Sequence, residues 1–265
     1  CRCNDGCGLN ILVRAMSEDI IIEVQELMAK FDDNIILQNI NFQVFKGEIF
    51  VILGGSGCGK TVLLKHLIGL LRPYSGTIML GGTTLSDMQE NLYRKFLSKI
   101  GVTFQGGALL GSMTLEENVS LPIIEYSGLP DISARIIARS KLHMVNLEGY
   151  ENYYPSEVSG GMKKRASIAR ALALNPDILF LDEPSAGLDP VTSAEIDKLI
   201  LNLNKSLGTT IVIVSHELAS IFDIAKRVIF LDKHSKTITA EGDPHYLKDN
   251  CEDFRVRNFL NRKII

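Results

Sequence analysis

Three short segments of this sequence carry residues suited to chemistry on phosphate groups. Gly54-Gly55-Ser56-Gly57-Cys58-Gly59-Lys60-Thr61 fits the pattern G-x-x-x-x-G-K-[ST] and directly follows the apolar run 49–53. In such a loop the glycines let backbone N–H groups wrap phosphates at a helix N-terminus, Lys60 reaches the outer phosphates, and the Thr61 hydroxyl can ligate Mg²⁺. The second segment, Ile178-Leu179-Phe180-Leu181-Asp182-Glu183, is an apolar run ending in two carboxylates. Asp182 can hold Mg²⁺ and Glu183 can polarise an attacking water, while Pro184 fixes the chain's exit. The third, Ser159-Gly160-Gly161-Met162-Lys163-Lys164-Arg165, opens a helical stretch reaching about 174, so its hydroxyl and glycine N–H groups form a second anion site. Adjacent acids at a strand end are often merely solvated, and the first pattern is shared by kinases, GTPases and many other ATPases. It implies nucleotide binding and leaves the machine open.

These segments need a scaffold. Strands are expected at 20–24 and 36–44 around the turn Asp32-Asp33-Asn34, then at 49–53, 178–181, 210–214 and 228–231. Helical stretches at 62–71 and 190–207 separate several of them, which indicates an α/β fold with a parallel sheet. From 115 to 147 the pattern is helical, broken at Gly128-Leu129-Pro130, and reads as an inserted helical subdomain spanning about 106–160. No motif recurs, so the chain carries one nucleotide cassette and a two-site machine must be a dimer.

At 265 residues, 46% hydrophobic and 22% charged, the chain has the balance of one globular domain. Its net charge of -3 gives no global attraction to phosphate backbones, and no nucleic-acid partner is expected. No apolar run approaches the roughly 18 residues that a spanning helix needs. Cysteines 1, 3, 7, 58 and 251 form no paired framework, so a reducing cytosol is expected. Cys1, Cys3 and Cys7 lack a second ligand pair and read as part of an N-terminal tail, 1–17. Because Met16 leads directly into an apolar strand, residues 1–15 read as an upstream translation artefact. Cys58, at a helix N-terminus among phosphate-facing N–H groups, is expected to favour thiolate.

The segment from Ser159 resembles the signature motif of ABC ATPases, and the chain supplies that family's other motifs in the family's order: P-loop, glutamine loop, signature, acidic strand, D-loop and histidine loop. The resemblance covers 20–242. It implies a P-loop parallel-sheet core with an N-terminal antiparallel β subdomain and the inserted helical subdomain, a domain of 18–242 followed by a C-terminal extension, 243–265. It implies ATP and Mg²⁺ as cofactors. Phe31 would stack on adenine, and Gly54 to Thr61 with Val62 would hold the phosphates. Gln105, in Thr103-Phe104-Gln105, would join Thr61 and Asp182 at Mg²⁺ and sense the permease. His216, in Ser215-His216-Glu217, would contact the γ-phosphate and position the water, with Lys60, Glu183 and Gln105 as the other catalytic residues. Asp189, in Ala186-Gly187-Leu188-Asp189, would shape the interface of a homodimer in which Ser159, Gly160 and Gly161 serve the partner's nucleotide.

Three departures from the commonest ABC pattern are informative. Met162 replaces the usual Gln, Lys163-Lys164-Arg165 follows it, and Gln105 is followed by Gly106-Gly107-Ala108-Leu109-Leu110. Together they resemble the Mla branch, which implies an integral membrane permease, an MCE-type lipid-binding protein, phospholipid as cargo, and a peripheral position on the cytoplasmic face of the inner membrane. Leu115-Glu116-Glu117-Asn118-Val119 with Leu121-Pro122 is similar to that branch's start of the helical subdomain, where a permease helix would dock. The basic tail from Asp253, with Phe254, Phe259 and Leu260 as anchors, would pack on the neighbouring subunit. An ABC ATPase acting on DNA or ribosomes would be expected to carry two cassettes, a coiled-coil insertion or a long basic linker; the sequence shows none, and the roughly 100 residues between Gly59 and Ser159 leave no room for a long coiled coil. The ATPase of another importer or exporter, or a membrane-bound regulator of a cell-wall enzyme, would share the same motifs.

Overall fold

The structure is a computed structural model that describes residues 20–263; the N-terminal segment set aside above lies outside the described residues. The hairpin β1 (Ile20–Phe31) and β2 (Asn34–Phe45) is extended by β4 (Ser75–Leu80) and β5 (Thr83–Thr84) into an antiparallel sheet of order β2-β1-β4-β5. The strand expected at 20–24 thus continues to Phe31. Register shifts across its middle, with Glu26 at φ 50°, break the alternation that would have revealed the full length.

The second sheet runs β10-β9-β3-β8-β7-β6. It contains β3 (Ile49–Gly54), β6 (Ile100–Thr103), β7 (Ile178–Asp182), β8 (Thr210–Val214) and β9 (Arg227–Leu231), all parallel, and β10 (Ile238–Gly242), antiparallel on β9. Every residue of β3, β7 and β8 is buried, because the sheet is covered on both faces. Alternation still governs which layer each side chain joins. Val51, Leu53, Leu179 and Leu181 face one core, with Leu115 and Leu142 of the helical subdomain, whereas Phe50, Ile52, Phe180 and Val212 face the other, with Val24 and Leu37 of the hairpin.

The helices are α1 (Lys60–Leu67), α2 (Glu90–Leu97), α3 (Leu115–Ser127), α4 (Asp131–Met144), α5 (Gly160–Ala171), α6 (Pro190–Leu207), α7 (Leu218–Ile224), α8 (Pro244–Asn250) and α9 (Phe254–Leu260). Helix α1 stops short of 71 because the chain turns at Gly69, at φ 76°. Helix α3 opens with a reciprocal cap between Thr114 and Glu117 and ends at the left-handed Gly128, which produces the break expected there. Buried Glu116 accepts from Arg135 at 3.0 Å and from Arg139, which ties α3 to α4.

Strand β6 has four residues, one of them glycine, too short a pattern to read from sequence. Its Gly101 is required by packing: a Cβ there would lie 2.2 Å from the Ala171 carbonyl oxygen at the end of α5. Gly101→Ala therefore has to push α5 away from the sheet, and we expect a stability loss of about 1–3 kcal/mol in urea titration. A midpoint unchanged from wild type would contradict this packing.

The C-terminal segment differs from expectation. Val256 and Leu260 of α9 are buried in the chain's own core, Phe259 packs edge-on against Phe230 at 5.1 Å, and Arg255 bonds Asp232 at 3.0 Å. The anchors expected to reach a neighbouring subunit, Phe259 and Leu260, are used at home. Of the three, only Phe254 is exposed.

Candidate active site

Two glycines fix the shape of the P-loop. A Cβ on Gly54 would meet Cys58 Sγ at 2.4 Å and the Leu231 carbonyl oxygen at 2.5 Å, and Gly59, at φ 100°, starts α1 with a Cβ position 2.8 Å from Leu37. The Lys60 ammonium folds into the loop and donates to the carbonyls of Gly54 at 2.8 Å and Gly55 at 3.0 Å. Ser56, Gly57 and Thr61 are exposed, and half-buried Val62 packs into the core beneath them. Cys58 corrects an expectation. Its side chain is buried, and that burial pushes the thiol's pKa up despite the Lys60 ammonium pulling the other way, so it is not a thiolate.

Strand β7 delivers the two acids, separated from β3 by β8. Asp182 is buried and, among the described residues, its carboxylate accepts no hydrogen bond. Burial, and then the adjacent Glu183, raise its pKa, while Lys164, Lys60 and Lys65 pull it down. Glu183 is also buried and stands at φ 50°, a conformation uncommon for a non-glycine residue and held here by its N–H donating to the Val214 carbonyl at 2.8 Å. Its carboxylate accepts from His216 Nδ1 at 2.5 Å and from Ser215 Oγ at 3.3 Å. With Nδ1–H committed to Glu183, Nε2 of the half-exposed His216 is left to face a ligand.

Gln105 lies exposed just past β6. One face of α5 fixes its loop: Lys164 Nζ donates to the Gln105 carbonyl at 2.6 Å, Gly107 lies against Ser167, and Arg170 donates to the carbonyls of Ala108 at 2.7 Å and Gly107 at 2.9 Å. From the other side, the buried Asn118 amide bonds Leu110, Met113 and Thr114. Lys164 also donates to the Glu183 carbonyl at 2.8 Å. Lys60, Asp182, Glu183, His216 and the Gln105 loop thus converge. Phe31, half-exposed, ends β1 on the same hairpin whose Ile36 and Leu37 flank Gly59.

Ser159 and Asp189 lie elsewhere. Ser159 caps α5 by accepting from Met162 N at 3.2 Å, and Asp189 caps α6 by accepting from Val191 N and Thr192 N, each at 3.1 Å. Gly160 and Gly161 pack against Leu188 and Thr192, which joins the two caps in one rim. No hydrogen bond among the described residues links this rim to the P-loop. Sequence reasoning assigned no role to Ser215 or Lys164. The motif Ser215-His216 could have suggested the first; nothing local to Lys164 names its partners.

The site suits a nucleoside triphosphate with a hard cation. A buried carboxylate lacking hydrogen bonds is relieved by a cation, an oxygen donor stands at Thr61, and the loop offers N–H groups and an ammonium to phosphates. A glycine-rich loop joining a buried parallel strand to a helix, with an acidic pair at a nearby strand end, defines a P-loop nucleotide hydrolase. The chain belongs to the ABC transporter family: the family described as "ABC transporter" matches residues 37–186. It is an ABC ATPase, the ATP-binding subunit of a transporter. It is 39% identical to the "Intermembrane phospholipid transport system ATP-binding protein MlaF" of Haemophilus influenzae, over 91% of this chain and 90% of that one. It is 42% identical to the "Probable ribonucleotide transport ATP-binding protein mkl" of Mycobacterium leprae, over 94% of this chain and 71% of that one. Among solved structures, it is similar to an ATP-binding cassette dimer in a post-hydrolysis state bound to ADP and Pi, at 31% identity and TM-score 0.75, covering 84% of this chain and 98% of that one. It is also similar to cbiO1 of Clostridium perfringens, part of the ABC transporter complex cbiONQ, at 31% identity and TM-score 0.80, covering 92% and 97% respectively.

Proposed function

We propose that this ATPase works as a two-site homodimer on the cytoplasmic face of the inner membrane, driving phospholipid movement through a separate integral permease that acts with an MCE-type lipid-binding protein. The observation that carries the cargo is the nearly end-to-end match with a protein named for intermembrane phospholipid transport. The relatives named for ribonucleotide transport are longer than this chain. The departures at Met162 and after Gln105 support the same branch.

MgATP, when bound, supplies the phosphoryl group to be transferred and a metal charge that offsets the charge developing on it. The P-loop from Gly54 to Thr61, with Lys60, holds the phosphates; Thr61, Asp182 and Gln105 hold Mg²⁺; and Phe31 stacks on adenine. Glu183 orients and polarises the water, with His216 held against it by their hydrogen bond. Ser159, Gly160, Gly161 and Asp189 form the rim presented to the partner's nucleotide, in keeping with the absence of any hydrogen bond between them and this chain's own P-loop among the described residues. A groove of about 590 Å³, lined by Phe104, Leu121, Pro122 and Tyr126, adjoins the Gln105 loop and suits a permease helix.

Affinity purification from solubilised membranes, followed by mass spectrometry of proteins and extractable lipids, tests the reading. Recovery with a polytopic permease, an MCE-type protein and bound phospholipid is expected. A permease carrying bound ribonucleotide and no phospholipid would keep the ATPase and overturn the cargo.

A further inference from the structure

Lys164 is five residues into α5, the helix that Ser159 caps, and its aliphatic stem is half-buried. Its ammonium meets no carboxylate within ion-pair distance among the described residues. Instead it donates at 2.6 Å to the carbonyl of Gln105 and at 2.8 Å to the carbonyl of Glu183, two main-chain positions on different segments. Both positions need holding: Glu183 is in a left-handed conformation, and Gln105 begins an exposed loop. Charge-assisted bonds to carbonyl oxygens are among the stronger ones available, and a single ammonium has the donors to serve both.

We propose that Lys164 is a positioning residue of the hydrolytic step: it pins the backbones of Gln105 and Glu183 to the α5 helix and thereby sets the distance between the water-polarising carboxylate and the Gln105 loop. The helix whose N-terminus is presented outward at Ser159 therefore also sets two groups of this chain's own site. The inference rests on the proposed roles of Glu183 and Gln105. Burial lowers the Lys164 pKa, and the nearby Glu183 and Asp182 oppose that drop, as for an ammonium held inside the site.

The test uses full-length Lys164→Met and Lys164→Arg beside Glu183→Gln. Lys164→Met keeps the stem and removes the donors. It is expected to lower kcat on the order of ten- to a hundred-fold, the scale of a small misplacement of reacting groups. The Kd for MgATP, measured by equilibrium binding, should stay within about threefold, while the loss of two charge-assisted bonds lowers the nucleotide-free melting temperature by several degrees. Lys164→Arg, which retains donors to both carbonyls, should restore most of kcat. Wild-type kcat in Lys164→Met overturns the proposal, as does a joint loss of affinity and melting temperature that Arg does not rescue. If Glu183→Gln itself turned over normally, the reading of the site would fall first; if it is inactive while Lys164→Met is not, only the Lys164 proposal falls.

Discussion

Glu183→Gln should bind MgATP with near wild-type affinity and hydrolyse it on the order of 10²–10⁴ times more slowly, the usual contribution of a positioned general base. The amide is nearly isosteric, so the bond from Ser215 Oγ and the backbone bond to Val214 survive, and no phosphate-binding group is touched. What is lost is a carboxylate able to draw a proton from water. The same change disturbs His216. An ionised Glu183 only accepts, which fixes the proton on Nδ1, whereas an amide can accept or donate and no longer dictates the tautomer. ATP-loaded protein should accumulate, visible as nucleotide retained through gel filtration and, if two chains enclose each nucleotide, as a dimer. Turnover at the wild-type rate would remove Glu183 from the chemistry.

Lys60→Met should behave in the opposite way, with binding lost rather than stalled. In the structure the Lys60 ammonium already bonds two carbonyls of its own loop, so removal costs the loop a brace as well as the phosphates a cation. Charge-assisted hydrogen bonds contribute about 1.5–3 kcal/mol each. Losing two from bound phosphate corresponds to a weakening on the order of 10²–10⁴ in Kd. Isothermal titration with MgATP and with MgADP is the measurement, and affinity within threefold of wild type for both would exclude the assigned role. The two variants together separate holding the nucleotide from cleaving it.

Much of this site was legible before any fold was known. The P-loop, the acidic pair and the Ser159 cap are each written in contiguous residues, because backbone N–H groups at a helix start and side chains at a strand end are positioned by the local chain itself. Strands β3, β7 and β8 were equally readable, since continuous apolar runs mark strands covered on both faces. The short or irregular strands were not. Strand β6 has only four residues, and the middle of β1 is bulged out of its alternating pattern.

The sequence by itself determined the chemistry, the family and the parallel core. Tertiary structure alone decided how the pieces are held. Lys164 bonds carbonyls 59 and 19 residues away, and a carbonyl carries no residue identity that a sequence could advertise. Cys58 sits where the local motif favours a thiolate, yet packing beneath the loop buries it and keeps the proton on. The basic C-terminal residues read as a tail anchored on a neighbouring subunit, but Val256 and Leu260 fall on one face of a short helix and the chain's own core takes them in. Local geometry is encoded in neighbouring residues. Burial and main-chain pairing depend on segments brought together by the fold, and that is where the expectations had to be corrected.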